Sequence, residues 1–358
     1  MARPATVTID LDAIAHNYRV AKSQAPARKA LAVVKANAYG HGAIDVARKL
    51  EAEADGFAVA CIEEALELRE AGIRKPILLL EGFFQADELA DIGRHDLWTV
   101  VHNQAQLDAI ARADLPAPLN VWLKLDTGMH RLGFAPDAYR AAYRRLKALP
   151  QVRSLTLMSH FTSAEDPASP ATRHQLERFE RVSRDCPSPR SFANSAATMT
   201  LPEAHHDWQR PGIILYGASP FVADPEVQAQ LKPAMTLTSE VIAVRELRPG
   251  EAIGYNGTWV CEAPTRVGTV AMGYADGYPR QARNGTPVLV NGQRSRLLGR
   301  VSMDMLMVDL TGLDAGVGSS VEFWGRNLLA NEVAPWCDTI AYTLFTGITR
   351  RVHRRVLG

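Results

Sequence analysis

The chain has 358 residues, enough to bury a large core and to form two or three domains. Its apolar fraction of 47% and charged fraction of 22% are ordinary for a globular protein. A formal net charge of +1 argues against a broad basic surface for nucleic acid or an anionic membrane.

The opening segment, MARPATVTIDLDAIAHNY, contains no continuous apolar stretch of the kind found in a secretory signal or a membrane span. The four cysteines, Cys61, Cys186, Cys261 and Cys337, are far apart and form no CxxC pair. A disulfide framework or a zinc site is therefore a weak interpretation. We expect a cytoplasmic protein without a metal centre.

Short apolar segments that suit buried strands recur along the first two thirds of the chain, with amphipathic helical segments between them. Strands are predicted at residues 31–34, 56–60, 77–80, 97–101, 120–125, 154–158 and 191–193, with a last one at either 206–209 or 213–216. Helices are predicted at 61–72, where Gly72 suits a C-cap, and at 136–149. Strand then helix, repeated about eight times, indicates an α/β fold, the (β/α)8 TIM-type barrel.

The main alternative is a doubly wound sheet that binds a dinucleotide. Such a sheet carries a GxGxxG loop after its first strand. The first predicted strand is followed instead by KANAYGHG, which does not match. We therefore predict a barrel over residues 10–231.

After residue 231, strand-like segments follow one another with turns between them. They are TRVGTVAMGY, TPVLVNG, RSRLLGRVSMDMLMVDL and SSVEFWG. The Asn-Gly pair in VNGQ (290–293) is a strong signal for a tight hairpin. We predict a separate, mainly β domain over residues 232–358, in which the basic run RRVHRR at 350–355 forms a solvated face.

Polar residues follow the predicted barrel strands at the ends that would face an active site. Because parallel strands place their carboxyl ends at one rim, we expect these side chains to converge. They are Lys35, Tyr39, Lys124, His130, Arg131, His160, Asn194, Ser195, Arg210, Gly212 and Ile213.

This set suggests a bound phosphorylated cofactor. Barrels commonly bind phosphate at the loops after the seventh and eighth strands, where Ser195 and Gly212 lie. A lysine across the barrel, here Lys35, points to pyridoxal 5'-phosphate (PLP), whose aldehyde condenses with an amine. Ser195 alone could be a helix N-cap and His160 alone a hydrogen-bonded core residue, but their placement at successive strand ends favours the site.

Nine segments, in order and spacing, resemble those of the alanine racemases, PLP enzymes of the barrel type (fold type III). They are AVVKANAYGHG, KLDTGMHRLGF, SHF, ANSAAT, RPGIILYG, IGYNGTW, GYADGY, GRVSMDMLMVDL and TIAYTLFTGITRRV. The resemblance spans essentially the whole chain. It implies an N-terminal barrel and a C-terminal β domain, which residues 1–9 join as a strand. It also implies a head-to-tail homodimer that racemises alanine, for peptidoglycan synthesis or for alanine catabolism.

The resemblance also implies roles for individual residues. Lys35 would hold PLP and act as one catalytic base, and Tyr255 from the other subunit would be the opposing base. PLP binding would involve Lys35, Tyr39, Arg131, His160, Asn194, Ser195, Arg210, Gly212, Ile213 and Tyr342. Arg131 and the Met303 N–H would hold the substrate carboxylate, and the entrance to the site would be formed by Tyr274, Arg300 and Asp304.

The resemblance also implies that Arg210, His160 and Lys124 support catalysis, and Ser191 bears on the support of Arg210. Arg210 would face the pyridine nitrogen, where a permanent cation disfavours ring protonation. His160 would bridge Tyr255 and Arg210. Lys124 matches a lysine that is often N-carboxylated in the family, where it holds Arg131. Ser191 stands where some members carry a histidine behind the arginine, so the support of Arg210 is an open question.

Other functions compete with this interpretation. A fold type III decarboxylase, or a racemase of broader range such as one for serine, would share the architecture. The tyrosine base and GRVSMD favour a racemase, and broad-range relatives typically carry an export signal. A non-catalytic PLP-binding protein would be a lone barrel, which residues 232–358 argue against. A metal-dependent barrel hydrolase would need a cluster of ligands that the sequence lacks.

Overall fold

The computed structural model describes residues 3–166, 168–221 and 225–358. Eight parallel strands close into a barrel, which confirms the predicted (β/α)8 architecture. Their bounds are Lys29–Val33, Gly56–Val59, Ile77–Leu79, Trp98–Val101, Leu119–Lys124, Val152–Met158, Arg190–Ser191 and Trp208–Gln209. The eighth strand is thus the shorter of the two predicted candidates.

The other candidate, residues 213–216, is wrong as a strand. Ile213–Tyr216 forms a 3-10 turn that ends at Gly217 in the left-handed conformation. All four residues are buried, because the turn packs against the first helix of the chain. A short apolar segment buried on every side has no periodicity that separates a turn from a strand.

Helices precede, separate and follow the barrel strands. They are Leu11–Ser23, Ala43–Leu50, Ile62–Glu70, Glu88–Arg94, Gln104–Arg112, Pro136–Ala148, Pro170–Ser183, Ser195–Thr200 and Pro225–Gln230, with a 3-10 turn at Pro202–Ala204. Gly72, with φ of +91°, follows Ile62–Glu70 as predicted. Its N–H donates to the Arg69 carbonyl and that of Ile73 to the Leu68 carbonyl, the pattern of a Schellman cap.

Three tryptophans fill part of the barrel interior. Trp98, Trp122 and Trp208 pack with ring centroids 5.4 to 6.1 Å apart. The strand of Trp208 is a neighbour of neither of the other two strands, so the three rings meet across the barrel. Alternate residues of a strand share a face, so Lys124 points into the barrel on the same side as Trp122 and lies nearer the rim.

The second part of the molecule is an eight-stranded sheet. Its strands, in spatial order, are Thr265–Val270, Leu306–Asp309, Gln293–Leu298, Pro287–Val290, Ser320–Trp324, Met235–Leu247, Thr6–Asp10 and His353–Leu357. Met235–Leu247 also pairs with Thr265–Val270, which closes six of the strands on themselves. The predicted VNGQ hairpin is confirmed: Val290 pairs with Gln293 across Asn291 and Gly292, both at positive φ.

The two ends of the described chain meet in this sheet. Thr6–Asp10 lies between Met235–Leu247, to which it is antiparallel, and His353–Leu357, to which it is parallel. The interpretation of residues 350–355 as a solvated face is therefore wrong in part. His353–Leu357 is a strand, and Arg354 on it is half-buried against the barrel because it pairs with carbonyls there.

Short elements complete the C-terminal part. They are the ribbon Ala252–Ile253 with Trp259–Val260, the 3-10 turns Tyr255–Gly257, Tyr274–Asp276 and Ala334–Cys337, and the helices Ala330–Val333 and Ala341–Thr346. One continuous core of buried apolar side chains includes residues of both the barrel and the sheet. Among the residues described, no helix has both the length and the apolar character needed to cross a membrane.

Candidate active site

Four cationic side chains gather at the carboxyl ends of the barrel strands. Lys35 follows Lys29–Val33, Lys124 ends Leu119–Lys124, Arg131 lies in the next loop, and Arg210 follows Trp208–Gln209. His160 follows Val152–Met158 at the same rim. All four positive charges act on His160 electrostatically, so the strand ends bring these predicted residues together.

Burial, together with the concentration of positive charge, changes the ionisation of two groups. Burial, with the charges of Arg210 and Arg131, lowers the pKa of Lys124 to about 8, and the Glu81 carboxylate partly opposes that shift. Burial, with the charge of Arg210, holds the pKa of His160 well below its ordinary value. The rim therefore contains a neutral imidazole and a lysine that is partly neutral near physiological pH.

Arg210 is buried and held by neutral acceptors. It donates to Ser191 Oγ, to the Ser159 carbonyl at 2.7 Å and to the Phe192 carbonyl at 3.4 Å, and its Nη2 lies 3.4 Å from His160 Nδ1. Burial lowers the pKa of the guanidinium to about 10, so it remains a cation at neutral pH.

The support that the sequence left open is thus a serine hydroxyl in place of an imidazole. Ser191 is fully buried and donates to the Trp208 carbonyl at 2.8 Å, which leaves its lone pairs free for Arg210.

Lys35 opens a segment with an unusual backbone. Ala36, Asn37, Ala38 and Tyr39 all have φ of 52 or 53°, so four successive non-glycine residues are left-handed. Such a conformation is unfavourable for an L-residue and persists only where the surroundings impose it. Lys35 is predicted at the end of the first barrel strand, with Tyr39 in the loop after it, but no local pattern indicates the left-handed backbone of that loop.

The surroundings that hold this segment come from the C-terminal part of the chain. A side chain at Gly40 would collide with the Phe345 carbonyl, 2.3 Å from the Cβ position. Arg354 donates to the carbonyl of Gly40 at 3.3 Å and to that of His41. Burial and the nearby Asp45 act on Arg354 in opposite directions, and burial prevails in lowering its pKa. The lysine segment is therefore clamped between helix Ala341–Thr346 and strand His353–Leu357.

A second group of predicted residues forms a small cradle of hydrogen-bond donors. Ser195 Oγ accepts from the Gly212 N–H at 2.8 Å. A Cβ on Gly212 would lie 2.8 Å from the Tyr39 hydroxyl and 3.8 Å from Ser195 Oγ, so only glycine leaves this space open. The Tyr342 ring lies 5.7 Å from that of Tyr39, and Ile213 begins the 3-10 turn after Gly212.

The N-cap interpretation of Ser195 is wrong, since the neighbouring Asn194 caps the helix. The Asn194 side chain accepts from the Ala197 N–H at 3.0 Å, and Ser195 is the first helical residue. The Ser195 hydroxyl is thereby left to face Gly212. His130, also singled out from the sequence, pairs with Asp126 at 2.9 Å in an exposed loop.

The remaining predicted residues lie elsewhere, on the C-terminal part. A cavity of about 570 Å³ is lined by residues 254–256 and 302–305, which include Tyr255 and Met303. Tyr255 is 68% exposed and Met303 52% exposed, although both are large apolar side chains. Tyr274 and Arg300 are exposed nearby in sequence and structure, and Asp304 is half-buried. The predicted site is thus divided between a barrel rim and a separate, open cavity.

Metal ligands and disulfides do not contribute to either half within the described ranges. No group of three or more His, Cys, Asp or Glu side chains is arranged there to hold a metal ion. The four cysteines are free thiols.

Two family models match the chain. Residues 9–220 match the model described as "Alanine racemase, N-terminal domain", and residues 234–356 match "Alanine racemase, C-terminal domain". The protein is 58% identical over 353 residues to an alanine racemase of Pseudomonas syringae pv. syringae, covering 98% of each chain. It is 57% identical over 357 residues to a catabolic alanine racemase of Pseudomonas putida, covering 99% of each.

Solved structures agree with these relatives. The biosynthetic alanine racemase of Pseudomonas aeruginosa superposes with a TM-score of 0.97 at 53% identity, over 99% of this chain and 100% of that one. The alanine racemase of Bartonella henselae with covalently bound pyridoxal phosphate has a TM-score of 0.90 at 30% identity, with 99% of each chain covered.

Proposed function

The chain belongs to the alanine racemase family, an isomerase family, and we propose that it interconverts L- and D-alanine with PLP at Lys35 and with Tyr255 as the opposing base. The observation that carries the proposal is the convergence of Lys35, Arg210, Lys124 and the neutral His160 at one rim of the barrel. Lys124 and Arg210 are buried and Lys35 is half-buried beside them, an arrangement that opposes folding because like charges repel, so it favours a functional role.

The donor cradle fits the phosphate of PLP. The Gly212 N–H and the hydroxyls of Tyr39 and Ser195 lie close together, and a Cβ on Gly212 would come within 2.8 Å of the Tyr39 hydroxyl. Burial raises the pKa of Tyr39, so its hydroxyl stays protonated and can donate. Burial also raises the pKa of Tyr342 to about 12. We assign phosphate binding to these residues and to the Ile213 N–H, while Asn194 supports them as the helix cap.

When bound, PLP supplies an aldehyde that condenses with an amine and a ring that stabilises negative charge at Cα. Racemisation then requires one group to remove the α-proton and another to return a proton to the opposite face. We assign these steps to the Lys35 amino group and the Tyr255 phenolic oxygen: the deprotonated group takes the α-proton, the protonated group returns one, and the roles exchange in the reverse direction. Arg131 and the Met303 N–H orient the substrate carboxylate between them.

Arg210 and His160 are assigned to the far side of the cofactor. A guanidinium that stays charged disfavours protonation of a pyridine nitrogen placed against it. This limits how strongly the ring withdraws electrons and so restricts side reactions. The neutral imidazole of His160 lies 3.4 Å from Arg210 and is suited to accept a hydrogen bond from the guanidinium at Nδ1. We assign its other ring nitrogen, Nε2, to a hydrogen bond with Tyr255.

We further propose that Lys124 is N-carboxylated. Its lowered pKa of about 8 gives a substantial neutral fraction, whose lone pair attacks CO2 to form a carbamate with release of one proton. The product is an anion among Arg131, Arg210 and Lys35, which relieves the repulsion between them. After growth with 13C-bicarbonate, a carbamate resonance that is absent from Lys124→Ala would support the modification, and its absence from the wild type would refute it.

The two halves of the site lead us to propose a head-to-tail homodimer. Tyr255 and Met303 face an open cavity lined by residues of the C-terminal part alone. A second copy whose barrel rim covers that cavity would unite Tyr255 with Lys35 and would bury the exposed apolar surface.

Two inactive variants provide a sharp test of shared sites. Lys35→Ala and Tyr255→Phe, each inactive alone, are coexpressed with different tags. Random pairing yields hybrids in which one of two sites is intact, so about a quarter of wild-type activity is expected. Coexpression of two differently tagged Lys35→Ala chains is the control. No recovery in the hybrid would mean that each subunit builds its own site.

The reaction itself is tested with L-alanine in D2O, with L-serine and L-lysine run in parallel. D-alanine that carries deuterium at Cα, lost in both variants, supports the two-base racemase. Exchange without inversion would mean that a single base operates and that the Tyr255 assignment is wrong. Comparable turnover of serine would favour the broader-range racemase, and bound PLP without any turnover would favour a binding protein.

A further inference from the structure

A buried carboxylate that has no part in the proposed mechanism forms ion pairs with two arginines. Asp276 is fully buried, in the 3-10 turn Tyr274–Asp276. Arg3 Nη2 lies 2.6 Å from its Oδ2, and Arg351 Nε lies 3.4 Å from its Oδ1. These arginines are 348 positions apart (351 − 3) and reach the same carboxylate from the two ends of the described chain. Arg3 is half-buried and Arg351 is exposed, so only the carboxylate of this cluster is fully buried, and ion pairs of this kind are weak evidence for added stability.

The carboxylate organises a turn that touches the cavity of Tyr255. Asp276 Oδ2 accepts from the Gly273 N–H at 2.9 Å. The turn then donates from the Tyr274 N–H to the Ser302 carbonyl and from the Ala275 N–H to the Met303 carbonyl, both at 3.0 Å. The backbones are so close that a Cβ on Gly273 would lie 2.2 Å from the Met303 oxygen.

The same arginines hold the other side of that loop. Arg3 Nη2 donates to the Asp304 carbonyl at 2.7 Å, and Arg351 Nη2 donates to Asp304 Oδ1 at 2.7 Å. Each arginine therefore links Asp276 to Asp304. Met303 lies between Ser302, which is held by the Tyr274 N–H, and Asp304, which is held by the two arginines. Residues 302–305 line the cavity together with residues 254–256.

We propose that Arg3, Asp276 and Arg351 are positioning residues that aim the Met303 N–H at the substrate carboxylate. The proposal rests on the function proposed above. A peptide N–H binds a carboxylate well only when its direction is fixed, and small displacements of such groups weaken binding strongly. None of the three side chains faces the atoms that exchange protons, so the cluster governs substrate affinity rather than the chemical step.

The test measures KM and kcat separately for Arg3→Ala, Arg3→Lys and a control. We expect Arg3→Ala to raise KM for L-alanine about tenfold while kcat changes less than about twofold. Arg3→Lys should restore KM, because one nitrogen of Arg3 makes both contacts and an ammonium has three donors. The control is Arg19→Ala, which breaks an exposed ion pair with Glu53 on a barrel helix and should leave KM unchanged.

Asp276→Asn is a second, independent variant, since it keeps the side-chain shape and an acceptor for Gly273 but removes the charge. It should raise KM in the same sense. If Arg3→Ala and Asp276→Asn lose only thermal stability, or lower kcat at constant KM, the cluster is structural and the proposal is wrong. A wild-type protein that does not racemise alanine would refute the proposed function instead, and a KM that the lysine variant fails to restore would also overturn the positioning role.

Discussion

Ser191 decides how a buried guanidinium is accommodated. Arg210 sits among neutral acceptors, and one of its nitrogens depends on the Ser191 hydroxyl. A buried cation that loses an acceptor is left with an unsatisfied donor, which costs more than an average hydrogen bond. Serine at position 191, where some family members carry a histidine, therefore still provides Arg210 with a hydrogen-bond acceptor, as a hydroxyl in place of an imidazole.

Ser191→Ala is expected to lower the free energy of unfolding by about 2 kcal/mol, measured by urea denaturation. Ser183→Ala is a matched control, because Ser183 is equally buried while its hydroxyl makes no hydrogen bond in the described structure. The control should be neutral. Equal effects of the two substitutions would show that Arg210 does not rely on Ser191.

His41 makes stability depend on pH. Its Nδ1 faces the carbonyls of Ala38 and Tyr39 at 3.1 and 3.0 Å, so this nitrogen carries the proton of the neutral ring. The ring stacks on Tyr216, and burial lowers the pKa of His41 to about 3. The unfolded chain takes up a proton near pH 6.5 and the folded one does not, so stability falls as the pH drops from about 6.5 toward 3.

His41→Asn retains a donor near the Nδ1 position and cannot titrate. We expect the free energy of unfolding of this variant to depend less steeply on pH, by about 1.3 kcal/mol per pH unit near pH 5. Urea titrations at pH 5, 6, 7 and 8 measure the slope. Identical slopes for variant and wild type would mean that the folded protein protonates His41 after all.

The lysine segment shows strain at the scale of an element. Residues 36–39 are left-handed, and Ala36 is exposed, so its side chain contributes no buried contact there. The strain is sustained by contacts directly after these residues, where Arg354 holds the carbonyls of Gly40 and His41. This arrangement fixes the direction of Lys35 more rigidly than an unstrained loop would.

Ala36→Gly is expected to raise the free energy of unfolding by about 0.5 kcal/mol, because glycine adopts positive φ without a steric penalty. Ala141→Gly, at an exposed position in the right-handed helix Pro136–Ala148, should lower it by about 1 kcal/mol. Urea denaturation of both variants in parallel tests whether the two changes in the free energy of unfolding have opposite signs. A loss of stability in Ala36→Gly would mean that the left-handed segment is not strained.

At the scale of the whole molecule, Arg354 connects the two parts of the chain. It lies on the last strand of the C-terminal sheet and donates to the carbonyls of Gly40 and His41 beside the barrel. Arg355, the next residue, is exposed. The two arginines therefore form a matched pair of variants.

Arg354→Ala is expected to lower the free energy of unfolding by about 2 kcal/mol, since two carbonyls lose a charged donor. Arg355→Ala should change it by less than about 0.5 kcal/mol. Both are measured by urea denaturation. If the two variants have the same free energy of unfolding, the contact of Arg354 with Gly40 and His41 does not stabilise the packing of the C-terminal sheet on the barrel.

The sequence predicted those features that follow from repeated local patterns. Apolar strands of regular spacing predicted the barrel, and the strand ends predicted which rim would hold Lys35, Lys124 and Arg210. Features set by contacts between distant residues left no local pattern. Neither the pairing of Arg3 with Asp276 nor the role of Arg354 could be predicted, because each depends on how the two ends of the chain meet. The eighth strand was ambiguous because a buried 3-10 turn is as apolar as a strand.

The order in which the sheet is assembled bears on synthesis. The strand Thr6–Asp10 must wait for partners at Met235–Leu247 and His353–Leu357, which leave the ribosome roughly 10 to 70 s later at typical elongation rates. The barrel is translated in the interval, with its lysine segment still lacking Phe345 and Arg354. A nascent chain therefore carries most of the proposed cofactor site before Phe345 and Arg354 are present to hold the lysine segment.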